Sequence, residues 1–120
     1  MKKQVALKGK GGIDRVAKFL IGNFKFGSFQ PRLVSEIYRK LGDKEVILLI
    51  FEKFYRRSQS TVSLTVLISG TQEDLFIDVV AAAERNKEML FSEFKLGASE
   101  NFVSQAVKHL TDYGFEITES

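Results

Sequence analysis

The sequence contains no cysteine and no tryptophan, and only one proline and one histidine among 120 residues. Without cysteine there can be no disulfide framework, no thiolate zinc site and no cysteine nucleophile. That composition fits a reducing compartment, and we expect a cytoplasmic protein. Long apolar runs are also missing. The longest, Val46-Ile47-Leu48-Leu49-Ile50-Phe51, is far short of the roughly twenty residues a membrane helix needs. Lys2 and Lys3 resemble the start of a signal peptide, but only Val5-Ala6-Leu7 follows them, too little for its hydrophobic region. No membrane association is expected. The net charge of +3 is mild: it gives a weak pull on anionic partners and is explained by solubility alone.

Aromatic carbon is what the chain has in quantity, with eleven Phe and three Tyr. Hydrophobic residues at 44% and charged residues at 28% are globular values. A chain of this length can bury about two-thirds of its surface. No linker, low-complexity block or repeat divides residues 1–120, so one α+β domain is expected.

Glycine-rich breaks leave segments of strand or helix length between them. Lys2 to Lys8 reads as a strand with Val5 and Leu7 on one side. From about Gly12 to Asn23, Ile13, Val16, Ala17, Leu20 and Phe24 recur at helical spacing, and Asp14 suits a helix N-terminus. Leu33 to Leu41 fits a short helix or a strand equally well. Glu45 to Arg56 is apolar on both faces, the pattern of an interior strand. Val62, Leu64, Val66 and Ile68 alternate with smaller or more polar residues, and Leu75, Ile77, Val79 and Ala81 continue the alternation. Lys87 to Lys95 is read as a further strand. A last helix starts at Ser99 as N-cap and ends at Gly114, with Phe102, Val103, Ala106, Val107, Leu110 and Tyr113 as its apolar stripe. Short connections favour antiparallel neighbours. The expected architecture is a curved five- or six-stranded sheet, mostly antiparallel, with two helices on one face, in the order β-α-β(4-5)-α of helix-grip or TATA-binding-like folds.

The stretch from Gly27-Ser28 through Gly42-Asp43, the run Ile50-Phe51-Glu52-Lys53-Phe54-Tyr55 and the segment Val62-Ser63-Leu64 resemble a family of small bacterial domains of unknown function. Phe91 to Phe94 and Gly97-Ala98-Ser99-Glu100-Asn101-Phe102 resemble that family's junction into its last helix. The likeness covers residues 2 to 113. It draws Leu33 to Lys40 toward strand and implies no activity, substrate or cofactor. Ala81-Ala82-Ala83-Glu84-Arg85-Asn86 departs from the Ser/Gly-rich turn of the pattern.

Candidate chemistry is sparse. His109 lies at the edge of the last helix's stripe, and with neither cysteine nor a second histidine it makes a poor metal or triad centre. No catalytic, metal or cofactor residue is assigned, and no enzyme is expected. Lys8, Lys10, Gly11 and Gly12 join strand to helix and form a candidate anion site, since helix-start N–H groups, glycine and lysine all suit an anion. They match no nucleotide-binding motif. Basic and aromatic residues adjoin in Phe24-Lys25-Phe26, Tyr38-Arg39-Lys40 and Phe54-Tyr55-Arg56-Arg57. Carboxylates interrupt any basic face, so nucleic acid is not expected as a partner.

The most informative feature is an excess of apolar residues in the middle strands. Ile47, Leu49, Phe51, Leu67, Phe76 and Val80 are expected to form a second sheet face, opposite Val46, Leu48, Ile50, Val66, Ile77 and Val79. Two helices cover one face, and a large bare apolar patch is uncommon on a monomer. A second copy or another protein would cover it, which makes a non-catalytic self-associating domain, a homodimer above all, the first functional expectation. The alternative is a carrier or sensor of an apolar small molecule, with a cavity lined by Phe19, Phe51, Phe91, Phe94 and Phe102.

Overall fold

The computed structural model describes residues 2–56, 59–83 and 92–119. Strand β1 (Lys2–Gly9) leads into helix α1 (Ile13–Phe26), followed by β2 (Arg32–Leu41), β3 (Lys44–Tyr55), β4 (Ser60–Gly70) and β5 (Leu75–Ala83). Helix α2 (Ser92–Tyr113) and a short strand β6 (Glu116–Glu119) close the chain. The strands form one six-stranded sheet in the order β2-β3-β4-β5-β1-β6. Every pairing is antiparallel. The fold is thus α+β, and the segment left open between helix and strand is β2.

Local chemistry sets the boundaries. In α1, Asp14 occupies the first turn and forms an i,i+4 pair with Lys18 at 3.0 Å. The helix stops at Gly27, where a Cβ would run into the Asn23 carbonyl oxygen. The β2–β3 hairpin turns at Gly42-Asp43, and Gly42 takes φ +67°, which favours glycine. At the end of α2 the Gly114 and Phe115 amides both donate to the Leu110 carbonyl, at 3.2 and 3.0 Å. Phe115 is thereby folded inward beside Gly9 of β1 and Tyr113.

Two sequence expectations are corrected. Ser92 to Lys95 belong to α2 rather than to a strand, and Ser99 is a buried residue within that helix rather than its cap. Gly97 interrupts helices at a cost of only about 1 kcal/mol, which a 22-residue helix packed on β1, β4 and β5 can absorb. The rest of the expected strand, residues 87–91, lies outside the described residues. Strand β6 is an addition that four residues of sequence could not announce.

Both helices pack on the same side of the sheet, against β1, β3, β4 and β5, and touch each other. The core lies between the layers. Val5 and Leu7 from β1, Leu49 and Phe51 from β3, Val66 from β4 and Val79 from β5 meet Leu20 and Phe24 of α1 and Phe102 and Leu110 of α2. From Glu36 onward every residue of β2 is exposed, so the edge strand runs out past the helices. The molecule measures 48 × 25 × 25 Å. Among the described residues no helix is long and apolar enough to cross a membrane.

Candidate functional site

The side of the sheet away from the helices is the candidate site. Strand register assembles it in rows. Arg39, Val46, Ser69, Phe76 and Lys8 face one another across β2, β3, β4, β5 and β1. The next row runs Ile37, Leu48, Leu67, Asp78, Ala6, and the third Ser35, Ile50, Thr65, Val80, Gln4. Apolar side chains from β3 and β5 share these rows with Ser69 and Thr65 of the central strand and with Asp78, and Arg39, Lys8, Ser35 and Gln4 end two of them. Among the described residues no helix lies on this face, because the buried stripes of α1 and α2 meet the opposite one. Accordingly Ile37 is 40% and Phe76 47% exposed.

This arrangement divides the side chains expected on the uncovered face. Leu67, Phe76 and Val80 lie on it. Ile47, Leu49 and Phe51 do not: they are buried beneath the helices, and Val46, Leu48 and Ile50 take their places outside. The cause is register. Leu49 pairs with Val66 and Ile47 with Ile68, and paired residues share a face.

At the turn end of the face, Leu41, Val46, Ser69 and Phe76 line a hollow of about 440 Å³ together with Lys44 and Asp74. Lys8 reaches Asp74 at 3.8 Å and lies 5.6 Å from the centre of the Phe76 ring. At the other end Phe54 projects, and Arg32 approaches Glu52 at 3.6 Å. Sequence reading missed the hollow, since Leu41 at the end of β2 and Phe76 at the start of β5 are far apart in the chain.

The candidate anion residues do come together, but not as an anion cradle. The Gly11 amide already donates to the Gln72 carbonyl at 2.9 Å. Lys8 is engaged by Asp74, and Glu73, Asp74 and Glu116 line the same surface depression as Lys8 and Lys10. Carboxylates there oppose a bound anion.

Between sheet and helices the described rings pack together, and a hollow of about 340 Å³ lined by Ile21, Phe24, Pro31, Leu33 and Phe51 opens beside them. Phe24 packs edge-on to Phe51 at 4.9 Å and to Phe102 at 5.8 Å. Phe19 instead stands at the periphery against Tyr113, at 4.8 Å. The Phe91 and Phe94 side chains lie outside the described residues. His109 is half-buried against Phe24, at 5.3 Å between ring centres. Burial and the neighbouring Lys108 charge lower its pKa, with Asp112 pulling the other way.

Near the open ends of β3 and β4, Lys53 donates to the Phe29 carbonyl at 2.6 Å with its ammonium 4.8 Å from the Phe29 ring centre. Among the described residues the buried hydroxyls of Tyr55 and Ser99 find no partner within hydrogen-bond geometry, though the Asn101 side chain stands near that of Tyr55. Burial pushes the Tyr55 pKa up to about 12, with Asn101 acting weakly in the opposite direction.

The geometry thus defines a class: an α+β domain with one helix-covered sheet face and a second face, mixed apolar and polar, on which no described helix lies. The chain belongs to a family of unknown function, DUF6054, whose model matches residues 2–114. Comparison with curated proteins finds no match. Among solved structures it is similar to LpqN, described as involved in cell envelope biogenesis of Mycobacterium tuberculosis, at 22% identity and a TM-score of 0.37. That similarity covers 83% of this chain but 58% of LpqN's. At that score it carries no argument.

Proposed function

We propose that the protein is a non-catalytic domain that self-associates through its open sheet face, a second copy covering the apolar rows. The reading is carried by Val46, Leu48, Ile50, Leu67, Phe76 and Val80 standing together where no described helix covers them. With strands about 4.8 Å apart and residues about 3.4 Å apart, the face from β2 to β1 spans roughly 650 Å² before side-chain relief. A stable interface takes about 800 Å² of accessible surface from each partner, so the face is of the right size. Charges of both signs on the face, Lys8 and Arg39 with Asp78 and Glu52, favour a copy over a strongly charged partner. A carrier of an apolar small molecule would use the hollow of about 340 Å³ beside Phe24, Leu33 and Phe51; self-association is preferred because the open face offers the more extensive apolar surface. The absence of cysteine supports a cytoplasmic setting for this role.

Sedimentation equilibrium tests the reading. The wild type should be dimeric at micromolar concentration. Phe76→Asp should give a soluble, folded monomer whose Tm falls only by the lost dimer linkage and no longer depends on concentration, whereas Phe51→Asp, placing a charge in the core, should unfold the protein. A strictly monomeric wild type, or a Phe76→Asp variant as unstable as Phe51→Asp, would overturn it.

A further inference from the structure

A second copy must lie across the face in one orientation, and two features of β3 select it. Phe54, 56% exposed, projects at one end. At the other, Val46 lines the hollow between Leu41 and Phe76. These two positions are about 27 Å apart along an extended strand, with Ile50 midway. We infer that two copies pack face to face about a two-fold axis crossing the strands near Ile50, each seating its Phe54 in the other's Leu41–Val46–Phe76 hollow. The inference rests on the self-association reading and adds to it the orientation and the anchor.

A two-fold axis exchanges positions at equal distance from it. An axis at Ile50 therefore carries Phe54 over the region of Val46 in the partner copy, and the contact is made twice. Stacked sheets cross at about 30°, which displaces the ring sideways by roughly 7 Å, or one and a half strand spacings. The hollow tolerates that shift because it extends from Leu41 on β2 to Phe76 on β5. The competing axis runs along β4. It would place Arg39 against the partner copy's Lys8, since these residues end the same row on β2 and β1. Two apposed cations oppose that arrangement. It would also set hollow against hollow. An aromatic ring entering a pocket is a common anchor of binding energy.

The chain has no cysteine, so introduced thiols report contacts against no background. With a short bismaleimide that spans the roughly 10 Å between stacked sheets, too wide for a disulfide, Ile50→Cys, or Ser35→Cys in the same row, should form a covalent dimer, and Ser69→Cys on β4 should not. Phe54→Asp should weaken dimerisation at least about tenfold while the circular dichroism spectrum of the folded chain is kept. Covalent dimer from Ser69→Cys but not from the Ile50 row, or a Phe54→Asp variant that associates like wild type, would overturn the orientation while leaving self-association standing. A wild type that sediments as a monomer would remove both.

Discussion

Single residues carry chemistry that bulk composition does not show. Among the described residues the buried Tyr55 hydroxyl has no partner in hydrogen-bond geometry, with Asn101 nearby but not well placed. Leaving such a group unpaired costs about 1–3 kcal/mol. Tyr55→Phe should therefore raise Tm by about 2–5 °C, where a hydroxyl bonded in the fold would give a loss. The phenol also binds its proton more tightly when folded, up to about pH 12. The unfolded chain releases that proton first as pH rises above about 10, so stability present below that value drains away toward pH 12. The Phe variant should lack this alkaline component in urea unfolding. His109 works in the opposite direction. Its folded pKa is lowered, so below about pH 6.5 the unfolded chain takes up a proton that the folded one resists. Stability should fall as pH drops through this window, and His109→Gln should flatten the slope.

At the scale of elements, turns decide more than propensity. Gly70 takes φ +127°, and a Cβ there would overlap the Asp74 carbonyl. Gly114 has the same φ but open space around it. Gly70→Ala should thus cost at least about 2 kcal/mol in urea unfolding and more than Gly114→Ala, which bears conformational strain alone. This also explains what could be read in advance. The stripe from Ile13 to Phe24 and the alternation of Val62 to Ile68 each name their buried face, because polar residues mark the other. In β3 six apolar residues follow one another from Val46 to Phe51. Nothing within that run says which parity faces the helices. Only the pairing of Leu49 with Val66 decides it, and a one-residue difference reverses every side chain. Hence the existence of an open face with apolar side chains was legible, and half of its membership was not. The glycine-lysine turn was equally visible, but its acidic neighbours Glu73 and Asp74 arrive from another hairpin.

For the whole molecule, the balance between its two layers matters most. One side of the sheet is covered by α1 and α2, and the other offers apolar side chains of β3, β4 and β5 set among Ser69, Thr65 and Asp78. Association across such a face is governed by apolar burial, and exposed charge pairs add little. The dimer affinity should accordingly change less than about threefold between 0.05 and 0.5 M salt in sedimentation runs. A polyanion partner would instead be lost steeply over that range.

Strand β1 lies between β5 and β6, and Gly9 is matched to Leu75 while Leu7 is matched to Ile117. The opening strand therefore has no hydrogen-bonding neighbour in the sheet until most of the chain is available. The β2-β3-β4-β5 meander can zip locally, hairpin after hairpin, whereas docking of the first strand requires closing a long loop. Loops of that kind slow folding, so the rate-limiting event is expected to be insertion of residues 2–9, and the half-built meander would meanwhile display an unsatisfied β5 edge.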